Sequence, residues 1–334
     1  MVKIYELWPG RNKFYCGGRF ITAKNSEGFY GTLGLTVIPT ILFWIFSCVP
    51  LREVLPIIGS LFGTCLMMSS LLMTSFMDPG IIPRTKSPAP EEEGEEKLPQ
   101  SIAMTTPHKT FTFESKWCNT CKLYRPPRSS HCSICDNCVM EFDHHCPWVG
   151  NCVGKRNYRY FVIFVWSAIF NSAVVCATTA YQAYTVGKTA GGILPAISSI
   201  PMSAVLFVYC IIIIFTVMSL GGYHLYLIAS GITTNEDMKH TFEREMSPYS
   251  KGPVSNFYYI LCGPRYPSYL QLREEITELQ FEEVVYYEED PNGELKEIKV
   301  EPKPAPLVDE FHEISLDDID DTAPFVQKKE QNVN

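Results

Sequence analysis

Four stretches of this chain, residues 28–51, 54–77, 160–187 and 189–235, contain no Asp, Glu, Lys or Arg. Each is long enough for the ~20 apolar residues that carry a helix across the hydrocarbon core of a bilayer. The first three read as single spans near 29–49, 54–77 and 160–180, and the last is trimmed to about 202–229, leaving 188–201 as a short loop. An ordinary soluble domain is thereby excluded. The first stretch is not expected to be a cleaved secretory signal, because it starts well inside the chain and has no small-residue cleavage site after a short apolar core.

Orientation follows from where the cations lie. Lys3, Arg11, Lys13, Arg19 and Lys24 precede the first span and ten Lys/Arg fall within residues 78–158, whereas the other two loops offer only Arg52 and Lys188. The positive-inside rule therefore predicts that both termini and the long loop face the cytosol. Net charge is −8. The tail, residues 271–334, holds 19 acids and 6 bases, so the rest is mildly basic. Juxtamembrane cations of that kind favour an anionic leaflet or simply set topology. The lipid bilayer is the expected large partner, and no nucleic acid is.

The long loop carries the chemistry. It reads Cys118-x2-Cys121-x9-His131-Cys132-x2-Cys135-x2-Cys138-x4-Asp143-His144-His145-Cys146-x5-Cys152. In a reducing compartment such density points to metal binding ahead of disulfides. Tetrahedral zinc takes four N/S ligands, so ten Cys/His side chains serve two ions with two to spare. The ligand order suggests Cys118, Cys121, His131 and Cys138 for one ion, and Cys132, Cys135, His145 and Cys152 for the other. Both sites are closed, hence structural, and in so short and polar a segment the metal supplies most of the folding free energy. The expected fold is an all-α integral membrane protein of four transmembrane helices with a cytosolic two-zinc domain between helices 2 and 3.

That places an N-terminal segment at 1–28, spans one and two at 29–77, a linker at 78–110, the zinc domain at 111–158, spans three and four at 159–230, a C-terminal motif region at 231–270 and an acidic, largely disordered tail at 271–334. The Pro-rich acidic run 87–97 has almost nothing to bury and reads as a solvated part of the linker. No 20–50-residue repeat relates the spans. In the tail, alternation around Asn292-Gly293 signals a hairpin, marginal when alone.

The Asp-His-His-Cys tetrapeptide within this spacing resembles the DHHC family of protein S-acyltransferases (palmitoyltransferases). The resemblance covers about residues 1–265. It includes Asp78-Pro79-Gly80, Thr233-Thr234-Asn235-Glu236 and the aromatic/Asn segment 249–256, which are similar to that family's DPG, TTxE and C-terminal motifs. The opening block from Pro9-Gly10-Arg11-Asn12 to Cys16-Gly17-Gly18, with Phe142 to Cys152, resembles the branch that acts on Ras-type GTPases with a small accessory subunit. The resemblance implies long-chain acyl-CoA (palmitoyl-CoA) as donor, protein substrates with membrane-proximal cysteines, and residence in endomembranes, Golgi or ER.

The residues support such chemistry on their own terms. Once eight ligands are assigned, His144 and Cys146 remain, beside Asp143. A thiol needs a base or cationic surroundings to become a nucleophile. His144 can take the proton, Asp143 can hold the imidazolium, and a neighbouring zinc would add positive charge. The alternative is that Cys146 itself ligates zinc. By resemblance Thr234 hydrogen-bonds Asp143; a helix N-cap in Thr-x-Glu context accounts for it equally. Lys155, Arg156 and Arg159 are candidates for CoA phosphates or for interfacial anchoring, and Trp148 is placed with the acyl donor. Asn171 faces inward in the third span, either bonding another helix or closing an acyl cavity. His224, Cys16, Cys48, Cys65, Cys176 and Cys210 are packing residues, and Cys262 is a candidate for lipidation. A membrane-anchored RING-type ubiquitin ligase would end its ligand series on a Cys-x2-Cys pair, which is lacking here. An inactive zinc scaffold would lack the spare Cys or its base.

Overall fold

A computed structural model describes residues 2–84, 99–105, 110–242 and 246–276, with short backbone stretches of the tail. Four helices are long and apolar enough to cross a membrane: Glu27–Leu51, Val54–Phe76, Tyr158–Ala190 and Pro201–Ser230. The third runs well beyond the expected 160–180, and the expected loop 188–201 holds a helix of its own, Ile193–Ser199. Helix propensity does not fail at Thr178, whose hydroxyl donates to Val174 O one turn back, or at Gln182, whose amide finds partners on other helices. Gln182 Nε2 donates to the Phe46 carbonyl, Ser203 donates to Gln182 Oε1, and Ser47 and Ser203 share a hydrogen bond. The Phe46 carbonyl lies in a π-helical turn, Trp44–Cys48, that interrupts the first span. The third helix stops only at Gly191, whose left-handed conformation (φ 81°) costs a glycine nothing.

The expectation of an all-α fold holds for the spans alone. Residues 12–23 form a hairpin, Asn12–Tyr15 with Phe20–Ala23, and the expected linker contributes a second, Gln100–Thr105 with Thr110–Ser115. Residues 78–84 are not linker either: Ile81 is buried and bridges to Val139. The acidic run 87–97 lies outside the described residues. A tail beginning at 271 also starts too early, since Leu272 is buried, its carbonyl accepts from Tyr5 N, and Glu275–Ile276 pairs with Val2–Lys3. Further on, Val285–Glu289 runs antiparallel to Leu295–Lys299, as the hairpin signal implies; the Asn292-Gly293 turn is outside the described residues.

Side-chain amides tie the Cys/His domain to the bundle. Asn151 Nδ2 donates to the carbonyls of Met77 and Ser75 at the end of the second span, and Asn157 Nδ2 donates to Thr74 O and Cys152 O. Asp78 accepts from the amides of Gly80 and Ile81 and from Arg156, so the Asp-Pro-Gly turn is clamped onto the start of the third span. The first span approaches closely as well: a Cβ at Gly28 would stand 2.2 Å from the Pro147 carbonyl oxygen, so only glycine fits there.

Candidate active site and metal centres

Three short hairpins follow one another: Trp117–Cys118 with Leu123–Tyr124, Ser130–Cys132 with Asn137–Val139, and His144–Cys146 with Asn151–Val153. Their turns repeat one backbone design. Lys122 N donates to Cys118 O, Asp136 N to Cys132 O and Gly150 N to Cys146 O, and all three donors have positive φ. Each turn is the preceding one moved on by 14 residues. The same offset relates the two ligand sets, both of the form Cys-x2-Cys-x9-His-x6-Cys. Each set therefore joins the knuckle of one hairpin to a His and a Cys of the next, and two ions would link three hairpins into one body.

The structure brings together Cys118, Cys121, His131 and Cys138, and separately Cys132, Cys135, His145 and Cys152, with all ligand atoms of a set within 4.8 Å of one another. Sulfur to Nδ1 separations are 3.5, 3.4 and 3.8 Å in the first set and 3.7, 3.4 and 3.6 Å in the second. Tetrahedral zinc, with Zn–S of ~2.3 Å and Zn–N of ~2.0 Å, needs S···N edges of about 3.5 Å. Both donor sets fit. In the first, His131 Nε2 lies 3.5 Å from Asp136, which fixes the ring with Nδ1 toward the thiols.

Cys146 belongs to neither set. It occupies the position in the third hairpin that Cys118 and Cys132 hold in the first two, but Val149 stands where Cys121 and Cys135 supply the second thiol. Strand periodicity separates the tetrapeptide's roles. Successive side chains of a strand point to opposite faces, so His145, opposite Cys152, faces the metal set, while His144 and Cys146 share the other face. On that face Cys146 is buried among Phe29, Leu71, Phe161 and Val165 at one end of the helix bundle.

His144 Nδ1 bonds Asp143 Oδ2 at 2.6 Å. Asp143 is 2% exposed. It also accepts from the Thr234 hydroxyl (2.7 Å) and the Thr234 amide (2.8 Å). Burial works to raise the Asp143 pKa, yet the hydrogen bond and charge of His144 hold it below the usual carboxylate value. Burial likewise opposes protonation of His144, but bonds to Asp143 and Cys146 override it and push its pKa up to about 9. The geometry thus favours an imidazolium beside Cys146. The expectation that zinc supplies the positive charge does not survive the donor sets: three thiolates and a neutral imidazole around a divalent ion sum to one negative charge.

The two readings of the Thr-Thr-Asn-Glu segment turn out to apply to adjacent residues. Thr233 caps the helix Thr234–Met238 through a reciprocal bond pair with Glu236, leaving Thr234 to hold Asp143. Glu236 in turn takes a two-pronged bond from Arg128, both contacts at 2.7 Å. Sequence reasoning passed over Arg128 because its partner is 108 residues away.

A cavity of ≈390 Å³ opens beside Asp143 and is lined by Lys155, Arg156 and Arg159, as well as Arg128, Lys251 and Arg265. Arg156 is engaged by Asp78 and the Tyr266 carbonyl, and Arg159 by the carbonyls of Ile260 and Gly263. Both hold the wall in place. Lys155 lies over the Tyr266 ring and Lys251 over the Tyr259 ring. Lys251 and Arg265 were missed in the sequence, although one lies within and the other just beyond the aromatic/Asn segment that signals this wall. Trp148 is outside the cavity lining and 63% exposed, with its carbonyl bonded by Thr32. Asn171 is buried against Gly63 of the second span, and its Oδ1 has no partner. The expected bond to another helix is not made by that oxygen. His224, read as packing, is buried within 6.0 Å (ring centroids) of His144 and bonds Tyr158. Cys48, Cys176 and Cys210 are buried; Cys16, Cys65 and Cys262 are exposed.

Comparison with known proteins agrees with this geometry. Residues 111–241 match the family described as DHHC palmitoyltransferase. The chain is 42% identical over 287 residues to palmitoyltransferase ZDHHC18 of Mus musculus, covering 80% of this chain and 75% of that protein. It is 40% identical over 292 residues to palmitoyltransferase ZDHHC14 of Homo sapiens (80% and 59%) and 37% identical over 304 residues to a probable protein S-acyltransferase 2 of Arabidopsis thaliana (84% and 73%).

Proposed function

The chain belongs to the DHHC palmitoyltransferase family and is a protein palmitoyltransferase, and within that identity we propose that Cys146 carries the acyl group between acyl-CoA and a protein cysteine. The observation that carries this reading is the placement of Cys146 and His144 outside both ligand sets, on the hairpin face opposite His145 and Cys152, with Asp143 and Thr234 behind them. In the first half-reaction the Cys146 thiolate attacks the thioester carbonyl, the C–S bond to CoA breaks, and the His144 imidazolium gives its proton to the departing CoA sulfur. In the second, the substrate thiol passes its proton to His144 and attacks the acyl-Cys146 carbonyl, and Cys146 leaves as thiolate. The two thioesters are alike, so transfer is nearly isoenergetic and the site supplies mainly positioning and proton transfer. Zinc, when bound, supplies the rigidity that holds the third hairpin against the bundle.

The cationic cavity beside Asp143 takes the CoA head group, with Lys155, Lys251 and Arg265 toward its phosphates and the tyrosine faces for its base. The acyl chain enters the apolar cluster around Cys146. A cytosolic site is supported by the excess of Lys/Arg on the segments flanking the Cys/His domain. Endomembrane residence (Golgi or ER), Ras-type GTPase substrates and a small accessory subunit rest on the opening block, residues 9–18, and on residues 142–152. Full stability and transfer from the purified single chain would remove the subunit.

Labelled palmitoyl-CoA tests the chemistry. A hydroxylamine-labile label on Cys146, absent in Cys146→Ser with two metal equivalents retained, is the expected result. A folded, metal-replete chain that takes no label is a scaffold.

A further inference from the structure

One carboxylate sits where the cationic cavity should least want it. Glu141 lines the cavity with a side chain 19% exposed, and its Oε1 is 3.4 Å from Lys155 Nζ. Burial works against its charge, but Lys155, Arg128 and Lys251 hold the carboxyl below its usual value, so it is an anion among three cations. Its backbone is in the left-handed region (φ 41°), an uncommon state for a residue with a side chain. The flanking hydrogen bonds, Met140 N to Gly80 O and Phe142 N to Arg128 O, pin the segment on both sides. Arg128 has its own buried partner in Glu236, so Glu141 is not needed to neutralise it.

We infer that Glu141 is an internal counter-anion that occupies the phosphate subsite, is displaced from Lys155 by the CoA head group, and hastens release of free CoA after acyl transfer. The inference rests on the reading that this cavity holds CoA. Donor and product share the head group, so cations that bind it tightly bind both alike, and such uniform binding promotes product inhibition without raising turnover. An opposing carboxylate weakens the head group in both molecules. The donor keeps its acyl chain in the apolar cluster at Cys146 as a second anchor; free CoA has none. Product therefore leaves and the donor still binds.

The test uses the full chain with its metal in detergent, and free CoA as inhibitor of Cys146 autoacylation by palmitoyl-CoA. Glu141→Gln should lower the Ki of CoA and the KM of the donor together by about tenfold, the effect of removing one like charge at close range in a partly hydrated site, and should slow steady-state turnover as CoA release slows. Glu141→Asp, which keeps the charge, should stay near the parent. Should Gln disturb folding, Glu141→Asn, tolerant of left-handed backbone, gives the same reading. A Ki unchanged by Glu141→Gln while Lys251→Gln or Arg265→Gln weakens CoA overturns the inference and leaves the cavity assignment standing. Equal effects of Glu141→Gln and Glu141→Asp also overturn it, because charge would not be the cause. Lys251→Gln and Arg265→Gln both without effect on Ki would refute the cavity assignment, and the inference with it.

Discussion

Replacing Arg128 with Met should unlatch the Asp143 carboxylate from a distance. Arg128 donates to both oxygens of Glu236 at 2.7 Å and to Gly231 O at 3.2 Å, and the two side chains are only 15% and 7% exposed. Burial opposes the Arg128 charge, but Glu236 more than restores it, so the pair is held by each other's presence. Removing one partner of such a buried pair strands the other, at a cost of about 3–5 kcal/mol. At roughly 2–4 °C per kcal/mol for a chain of this size, thermal unfolding in detergent should shift down by about 10 °C. Glu236 also caps the helix that presents Thr234 to Asp143. Autoacylation should therefore fall with stability while metal content holds. The double variant Arg128→Met/Glu236→Gln, which leaves no uncompensated charge, should recover part of the loss. A double variant as damaged as the two singles added together would refute the argument, since it would show no coupling between the residues.

Other outcomes follow from the same geometry. His145→Ala should lose one metal equivalent and destabilise the fold, whereas His144→Ala should keep both and lose acylation; metal analysis with autoacylation separates them, and identical behaviour contradicts the two-faced hairpin. His144, raised from 6.5 to about 9, contributes stability that is complete below the unfolded value and is lost as pH rises through about 9. The acylation rate at saturating donor should hold near neutrality and fall over that same upper range. Truncation after Ile276 should preserve autoacylation, whereas truncation after Gln271 removes the strand paired with Val2–Lys3 and should loosen the N-terminus, read out by limited proteolysis. Asn171→Phe tests the acyl-cavity alternative with a donor series from lauroyl- to arachidoyl-CoA: a shift toward shorter chains supports a cavity floor, and an unchanged profile in the folded variant leaves Asn171 as a packing residue. Gly63→Ala, whose Cβ would meet Asn171 Oδ1 at 3.0 Å, should cost about 1–3 kcal/mol by overpacking if packing is the role.

Much of this protein is legible in one dimension. Four spans follow from uncharged length alone, because hydrocarbon excludes charge wherever the rest of the chain lies. The ligand sets follow from donor type and spacing, because a knuckle is a local turn and thiolates have few other uses at that density. Even the 14-residue offset that explains why Cys146 stays free is written in the sequence, once the hairpin is taken as the unit.

Other features depend on residues distant in the chain. Gln182 continues the third helix because Phe46, 136 residues away, offers a carbonyl freed by a π turn. Arg156 and Arg159 look like phosphate ligands until Asp78 and the carbonyls of 260, 263 and 266 engage their donors. The beginning of the tail moves because Leu272 pairs with Tyr5. Local pattern determined which residues could enter a membrane or hold a metal, since those preferences belong to the side chains themselves. Tertiary structure decided which cations are engaged by acidic side chains and carbonyls and which histidine shares a face with Cys146, because hydrogen-bond partners and strand facing exist only after distant segments have met.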